Sequence, residues 1–430
     1  SIALMKPMWV ARALLALAAT MAAATGEAMS QIPPEPLSLD EAVSLAREAN
    51  PALRAARLRA DVAAERVPQA GALPNPMLGF GLMNRQIQDF GSTAEPMLQN
   101  RIEFSQRLPW PGKLGFSEER SKALANAGAL DAEETEEALI ARVKAVYYRL
   151  AFMDRALLIM EDTRELLREF LDVSSTLYAV GEGLQQDVLQ AQVAVASMTE
   201  DITVMEQDRL ATAARLNALL GREATTAIGE LELPQPPGAE LPPIEALIEL
   251  ADAQRPGLQA ARERARAAEA GYRAARRALY PDFTVGMAYS QRPQYNDWLS
   301  FMVGVSVPLW AGKSQLPLRR EMAAMQAEEE AHALDLYNET FARIAERRAE
   351  AERARKLVEL YATSVLPQAR AAVESSLSAY RVGKVDFMTL VQNELTVNRF
   401  EIENVRLAAE YQRAVAELEA LVASDIGGGS

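Results

Sequence analysis

The segments VSVPLWAGK (residues 305–313) and SQRLPWPGK (residues 105–113) share one pattern, in which a strand-like stretch leads into proline, tryptophan, glycine and lysine. The stretches around them recur as well: ANPALRAAR (49–57) as QRPGLQAAR (254–262), YAVG (178–181) as YRVG (380–383), and LNALL (216–220) as LEALV (418–422). Because the order is the same in both halves, the sequence predicts a twofold internal repeat.

The repeat divides the chain into five predicted segments. Lys6 and Arg12 precede an apolar stretch at 13–24, which is the order of charge and apolar core in a secretory signal, so residues 1–30 are predicted to be a signal peptide. Prolines crowd residues 229–243 and predict a linker. The first repeat then covers 31–228, the second covers 244–424, and residues 425–430 form a tail.

Composition excludes several classes of function. The 430 residues carry a formal net charge of −14, which argues against a nucleic-acid partner because such partners are met by basic surfaces. With no cysteine and a single histidine, His332, thiol chemistry is excluded and most catalytic dyads are too. Motifs for phosphate binding, metalloproteases and serine nucleophiles are not found, so the sequence predicts neither an enzyme nor a cofactor.

Each half has the same predicted order of elements. A helix (about 38–67, then 244–278) precedes two strands (76–83 and 98–108, then 282–290 and 299–309), which alternate apolar and polar residues. Two long helices complete each half. Residues 112–180 contain no proline, so one continuous helix there would be roughly 100 Å long. Pro367 predicts a kink or a break in the corresponding helix of the second half.

The strands have the length that a tilted strand needs to cross a bilayer. A sheet in lipid must close on itself, because an open edge would leave backbone groups unpaired in hydrocarbon. Membrane barrels have about eight strands or more, whereas this chain offers four. The barrel must therefore be shared, with eight strands from two chains, twelve from three or sixteen from four.

At this point the chain resembles a known family. The order of helix, PNP (74–76), strand pair, P-x-x-G-K, very long helix, Y-x-V-G, helix and LNALLG is similar to that of the TolC-type outer-membrane efflux proteins. The resemblance implies a mixed, mainly α fold with a membrane β-barrel. It implies a homotrimer whose twelve-stranded barrel, embedded in outer-membrane lipid, continues into an α-helical tunnel of antiparallel coiled-coil helices through the periplasm of a Gram-negative bacterium.

The resemblance also implies a function. Such a protein is the passive exit duct of a tripartite pump, together with a periplasmic adaptor (membrane fusion protein) and an inner-membrane RND-type pump. The segments LPWPGKL (108–114) and MVGVSVPLW (302–310) are most similar to the branch that exports heavy-metal ions. A channel for drug efflux or type I protein secretion is the alternative, and a soluble periplasmic coiled-coil scaffold is a more distant one.

Three groups of residues carry the predicted site. The Y-x-V-G motifs should form hairpin tips that dock the adaptor, and the carboxylates that follow should line the periplasmic aperture, although a carboxylate at a helix N-terminus needs no such role. The two tryptophan-glycine pairs should mark the strand–helix junctions at the membrane interface, although buried core tryptophans would give the same pattern. The tips comprise Val180, Gly181, Leu184, Val382, Gly383 and Phe387. The aperture comprises Asp187, Asp386 and Glu182, and the junctions comprise Trp110, Gly112, Trp310 and Gly312.

Sixteen methionines raise the question of a relay for monovalent copper, which prefers thioether ligands. Most of them lie in the signal segment or at helical spacings typical of packing. Met77, Met83 and Met97 cluster around one strand pair. Because tight binding would slow release from a conduit, the sequence predicts passive conduction without a dedicated metal site.

Overall fold

The computed structural model describes residues 37–426 except 86, 89, 92–96, 237, 239 and 294. The predicted signal peptide and residues 427–430 of the predicted tail lie outside the described residues. The chain runs α1 (Leu39–Ala49), α2 (Pro51–Gly71), β1 (Met77–Met83), β2 (Gln99–Leu108), α3 (Lys113–Ala179), α4 (Gln185–Leu219), α5 (Ile244–Gln254), α6 (Pro256–Arg277), β3 (Asp282–Gln291), β4 (Trp298–Ser306), α7 (Gln315–Leu360), a π-helical turn (Tyr361–Val365), α8 (Leu366–Tyr380) and α9 (Phe387–Val422).

The single helix predicted at the start of each half is in fact two helices. Asn50 and Arg255 adopt extended backbone (ψ 120° and 117°) because each precedes a proline, which disfavours the helical conformation of its predecessor. The Asn50 side chain then caps α2 by accepting hydrogen bonds from the backbone N–H groups of Ala52 (2.9 Å) and Leu53 (3.1 Å). Helix α2 also continues through Pro68, past the predicted end at residue 67.

The four strands form one antiparallel sheet in the order β1-β2-β3-β4. Strand β4 ends at Ser306 rather than near 309, because Pro308 lacks an N–H and the following residues turn, with the Lys313 N–H bonded to the Trp310 carbonyl at 2.9 Å. Helices α2, α3, α6 and α7 all connect to the sheet at the same end. In the described part of the chain, the outer edges of β1 and β4 have no strand partner.

The long helices are as extended as the sequence predicts. Helix α3 is continuous over 67 residues, about 100 Å. Its counterpart α7 is interrupted by the π-helical turn just before Pro367, which stands in the first turn of α8, so the predicted break is confirmed. No helix of the described residues is long and apolar enough to span a membrane.

In the described residues, four apolar clusters lie along the helices rather than one core at a centre, and the smallest joins Val358 of α7 to Leu407 and Ala408 of α9. The first joins α1, α3 and α4 around Val143, Leu150 and Leu216, and the second joins α5, α7 and α9 around Ile344 and Leu418. The third lies near the hairpin ends and includes residues of α3, α4, α8 and α9. Alanines fill many of the buried positions, which allows helices to approach closely without large side chains.

A buried ion pair holds the start of the linker against α3. The Asp154 carboxylate is buried; it accepts hydrogen bonds from the Arg209 guanidinium and, at 2.9 Å, from the Leu231 backbone N–H. Arg209 also donates to the carbonyls of Ile228 (3.2 Å) and Gly229 (3.1 Å). The linker is therefore fixed by charge-assisted bonds rather than by apolar packing alone.

Candidate functional site

The two helical hairpins end in turns of the same construction. Gly181 (φ 79°) and Gly383 (φ 69°) adopt the left-handed conformation directly after the helix. The next N–H in each turn reaches back to the helix: Glu182 bonds to the Leu177 carbonyl and Lys384 to the Ala379 carbonyl, both at 2.9 Å. This is the glycine-terminated helix end that satisfies otherwise unpaired carbonyl groups. The repeated glycine therefore has a structural role in each turn.

The tips present apolar side chains to solvent. Val180, Leu184 and Val382 are each 66% exposed, although valine and leucine favour burial. Added side-chain carbons at Gly181 or Gly383 would meet nothing within 4 Å, so the surface around both glycines is open. Exposed apolar residues at the end of an elongated helical body indicate a contact surface.

Phe387 does not belong to this exposed surface. Its side chain is 1% exposed and packs edge-on against Tyr380, with ring centroids 5.5 Å apart. As the first residue of α9 it points into the core that joins the two hairpins, because the helix turns this position inward. The prediction of Phe387 as an exposed docking residue is thus corrected: it supports the second tip from beneath.

The structure brings the two tips together through Asp187 and Tyr380. The Tyr380 hydroxyl lies close enough to the Asp187 carboxylate to interact with it, which brings α4 of the first hairpin against α8 of the second. Burial raises the pKa of Asp187, the Tyr380 hydroxyl opposes that rise, and the nearby Asp386 carboxylate adds to it. Burial, and then Asp187, raise the pKa of Tyr380 in turn.

The three predicted aperture carboxylates thus have different surroundings. Asp187 and Asp386 lie close enough to interact, and Asp386 also accepts a bond from the Thr389 hydroxyl. Glu182 is exposed on the first turn. Tyr380 is the residue that sequence reasoning did not select, although it begins the second Y-x-V-G motif. The two motif tyrosines differ greatly, since Tyr178 is 49% exposed and Tyr380 is 8% exposed.

An apolar groove lies beside the tips between α4 and α9. Its volume is ≈ 640 Å³. Ligand pockets typically have volumes of about 300–1,000 Å³. Its walls include Leu189 and Val193 of α4 and Val391 and Leu395 of α9. The exposed apolar surface of the tips therefore continues along the helices.

At the other end of α3, the first strand–helix junction is held firmly. Gly112 has φ 91°, a left-handed conformation that glycine adopts without steric cost. The Asp282 carboxylate accepts hydrogen bonds from the Trp110 N–H (2.9 Å) and the Lys113 ammonium (2.6 Å). This clasp ties the end of β2 to the start of β3, so α3 leaves the sheet at a defined place.

The second junction differs from the first. Gly312 does not adopt a positive φ, because this connection is a series of looser turns that requires no left-handed residue. Trp310 is 75% exposed, whereas Trp110 is partly buried and stacks on Tyr280 and Phe283 at centroid distances of 5.0 and 5.7 Å. Both tryptophans lie at the end of the sheet that joins the helices.

The sheet has one apolar face and one polar face. Residues paired across the register share a face, since side chains alternate along a strand. On the apolar face, one row joins Leu78, Phe104, Met287 and Phe301, and the next joins Phe80, Ile102, Tyr289 and Leu299. On the polar face the corresponding rows are Gly79, Glu103, Ala288 and Ser300, and Gly81, Arg101, Ser290 and Trp298.

The apolar face is covered by no other element of the described chain. Leu78, Phe80 and Phe301 are among the most exposed large apolar side chains of the molecule. Two rows of bulky apolar side chains on an uncovered sheet require an apolar environment. Within the described residues, no group of three or more His, Asp or Glu side chains is arranged to hold a metal ion.

Comparison with solved structures finds the same fold in outer-membrane channels. CusC is 17% identical with a TM-score of 0.79, and the match covers 94% of this chain and 95% of CusC. VceC from Vibrio cholerae is 17% identical with a TM-score of 0.77, covering 90% and 96% of the two chains. The open MtrE channel of Neisseria gonorrhoeae is 16% identical with a TM-score of 0.75, covering 91% and 90%. At these low sequence identities, the TM-scores show a shared fold.

A comparison with curated protein sequences gives no significant match. The family model for the outer membrane efflux protein matches residues 42–222 and again residues 247–424, which together make up most of the chain. Its members are non-enzymatic channels of the outer membrane. The chain therefore belongs to the outer membrane efflux protein family.

Proposed function

We propose that three copies of this chain close a twelve-stranded barrel in the outer membrane and form the passive exit duct of a tripartite pump for heavy-metal ions. The observation that carries this proposal is the sheet, which has an uncovered apolar face and two open edges. Closure with the sheets of other copies would pair both edges and turn the apolar face toward lipid. Each half, 31–228 and 244–424, would then supply one strand pair and one helical hairpin to the wall, with 229–243 as the linker.

The tips are the proposed docking site for a periplasmic adaptor. Val180, Leu184 and Val382 supply exposed apolar contact area, while Gly181 and Gly383 leave room for a partner helix to approach. The groove between α4 and α9 extends this surface along the helices. An apolar surface with close backbone access suits the apolar stripe of a partner helical hairpin.

Asp187 and Asp386 are the proposed aperture carboxylates, with Glu182 at the outer rim of the first turn. Because the Tyr380 hydroxyl of α8 interacts with the Asp187 carboxylate of α4, the two hairpins are in contact where the aperture would narrow. Breaking this contact would allow the tips to separate. A passive duct has no energy source of its own, so an inner-membrane RND-type pump would supply the energy for transport.

The proposed cargo rests on the sequence around the two junctions, LPWPGKL and MVGVSVPLW. Expression of this chain in a Gram-negative host lacking its own exit ducts, with a metal or a drug pump and its adaptor, tests this choice. Restored resistance to copper and silver, or to cobalt, zinc and cadmium, supports the proposal. Restored resistance to drugs alone would contradict it.

Passive conduction also implies that the methionines of the sheet are not needed for metal transport. Met77 and Met302 belong to one row of the polar face, and Met83 lies on that face at the end of β1. If the duct has no dedicated metal site, replacing Met77, Met83 and Met97 together with leucine leaves metal resistance intact. A selective loss of copper or silver resistance, at an unchanged level of assembled protein, would instead establish a thioether relay.

A further inference from the structure

Beside the first junction lies a pocket rich in arginine. It is lined by Phe116 of α3, by Arg273, Arg276 and Arg277 of α6, by Tyr280, and by Arg319 of α7, and its volume is ≈ 480 Å³. We name it the basic pocket. All of its walls come from one chain, so its construction needs no second copy.

Three of the four arginines have no acidic partner. Arg273 is paired with Glu269 (2.5 Å) and Glu119 (3.4 Å). Among the described residues, no carboxylate lies within ion-pair distance of Arg276, Arg277 or Arg319. The chain as a whole has a net charge of −14, so three unpaired arginines around one pocket contrast with its overall charge. The basic pocket therefore has an excess of about three positive charges.

The aromatic rings orient the unpaired charge. The Arg277 guanidinium lies 5.8 Å from the Tyr280 ring centroid and 6.0 Å from that of Phe116. Contact with a ring uses the flat face of a guanidinium, so its in-plane N–H groups stay available as donors. Parallel N–H donors of this kind match the oxygens of a phosphate group.

A stack of rings connects the basic pocket to the apolar face of the sheet. Tyr280 stacks on Trp110, and Trp110 stacks on Phe283. Phe283 is paired in register with Val305 and Leu108, in the same alternation as Met287 and Phe301 on the apolar face. The pocket thus lies where the apolar face ends and the helices begin, which is the level of lipid headgroups if that face contacts lipid.

We propose that the basic pocket binds the phosphate headgroup of an anionic phospholipid from the membrane leaflet on the helical side of the sheet. The inference rests on the proposed membrane position of the sheet. Acyl chains would lie along the apolar face, and the phosphate would contact Arg276, Arg277 and Arg319. Excess positive charge near a membrane surface favours anionic over zwitterionic lipid. The bound lipid would fix the depth of each copy at the junction, where α3 leaves the sheet.

The test uses the full assembly in nanodiscs of phosphatidylcholine with or without phosphatidylglycerol, and measures the lipids retained on the protein by native mass spectrometry. We expect the wild type to retain phosphatidylglycerol with a preference of about tenfold or more over phosphatidylcholine. The triple variant Arg276→Gln, Arg277→Gln and Arg319→Gln should lose that preference.

A matched control removes the same charge elsewhere. Arg54, Arg59 and Arg149 are exposed, have no ion pair among the described residues and lie on α2 and α3 away from the sheet. Their replacement by glutamine should leave the preference unchanged. Circular dichroism and the mass of the assembly establish that each variant is folded.

Several results would overturn the proposal. Equal retention of both lipids by the wild type, or equal loss of the preference in the control, would remove the specific site. If inorganic phosphate at the same concentration displaced the lipid completely, the pocket would be a site for a free anion. Failure of the wild type to enter nanodiscs at all would contradict the proposed membrane position instead, so the two failures are distinguishable.

Discussion

Replacing Tyr380 with phenylalanine tests whether the two hairpins are held together at their tips. The substitution removes one hydroxyl and keeps the ring that packs against Phe387. A charge-assisted hydrogen bond contributes about 1.5–3 kcal/mol, which is the upper limit for the contact between the Tyr380 hydroxyl and Asp187, and partial exposure of Asp187 reduces it to about 1 kcal/mol. We therefore expect the equilibrium between joined and separated tips to shift about fivefold toward separation.

The assay is single-channel conductance of the purified assembly in planar bilayers. Tyr380→Phe should increase the fraction of time spent in conducting states. Tyr178→Phe is the matched control, because the corresponding tyrosine of the first tip is half exposed and should give wild-type currents when changed. Unchanged conductance in Tyr380→Phe, with the assembly intact, would refute the view that this contact restrains the aperture.

The remaining predictions concern the aperture charge, the tips and the linker. Burial raises the pKa of Asp187, so protonation of Asp187 favours the observed arrangement of the tips as the pH falls through that raised pKa. Asp187→Asn should therefore change the cation conductance and remove the pH dependence of that conductance. If both stay unchanged, Asp187 does not line the aperture. Replacement of both Gly181 and Gly383 by glutamate should abolish adaptor crosslinking and efflux. Replacement of both by alanine adds backbone strain of only about 1 kcal/mol per site and should retain crosslinking and efflux. Normal efflux from the glutamate variant would reject the docking surface. Asp154→Ala leaves the partly buried Arg209 without its carboxylate and should lower the free energy of unfolding by about 3 kcal/mol in denaturant titrations. A loss below about 1 kcal/mol would show that the linker is held mainly by packing.

Local sequence predicted the backbone best where one residue type constrains its conformation. Glycine predicted irregular backbone at 112 and 312, of which only Gly112 has a positive φ, and Pro367 predicted the interruption of the long helix. The helix breaks at Asn50 and Arg255 follow from the same kind of local rule, since each residue precedes a proline, but the predicted helices 38–67 and 244–278 did not include them.

Tertiary packing determined what the local sequence could not show. Phe387 follows the second tip closely in sequence, yet α9 turns it into the shared core. The same Y-x-V-G motif gives an exposed Tyr178 and a buried Tyr380, because only the second lies against the other hairpin. The clasp of Asp282 with Trp110 and Lys113 joins residues far apart in the chain, and no spacing rule would have indicated it.

The central claim is that copies of this chain share one closed barrel, and crosslinking of the sheet edges tests it most directly. The chain has no cysteine, so single cysteines can be placed on β1 at Phe80 and on β4 at Val303 and joined by a short bifunctional reagent in isolated outer membranes. Closure through three copies predicts a ladder that ends at a covalent trimer, with every β1–β4 link between different chains. Links confined to single chains, or a ladder that ends at two or four copies, would contradict the twelve-stranded barrel.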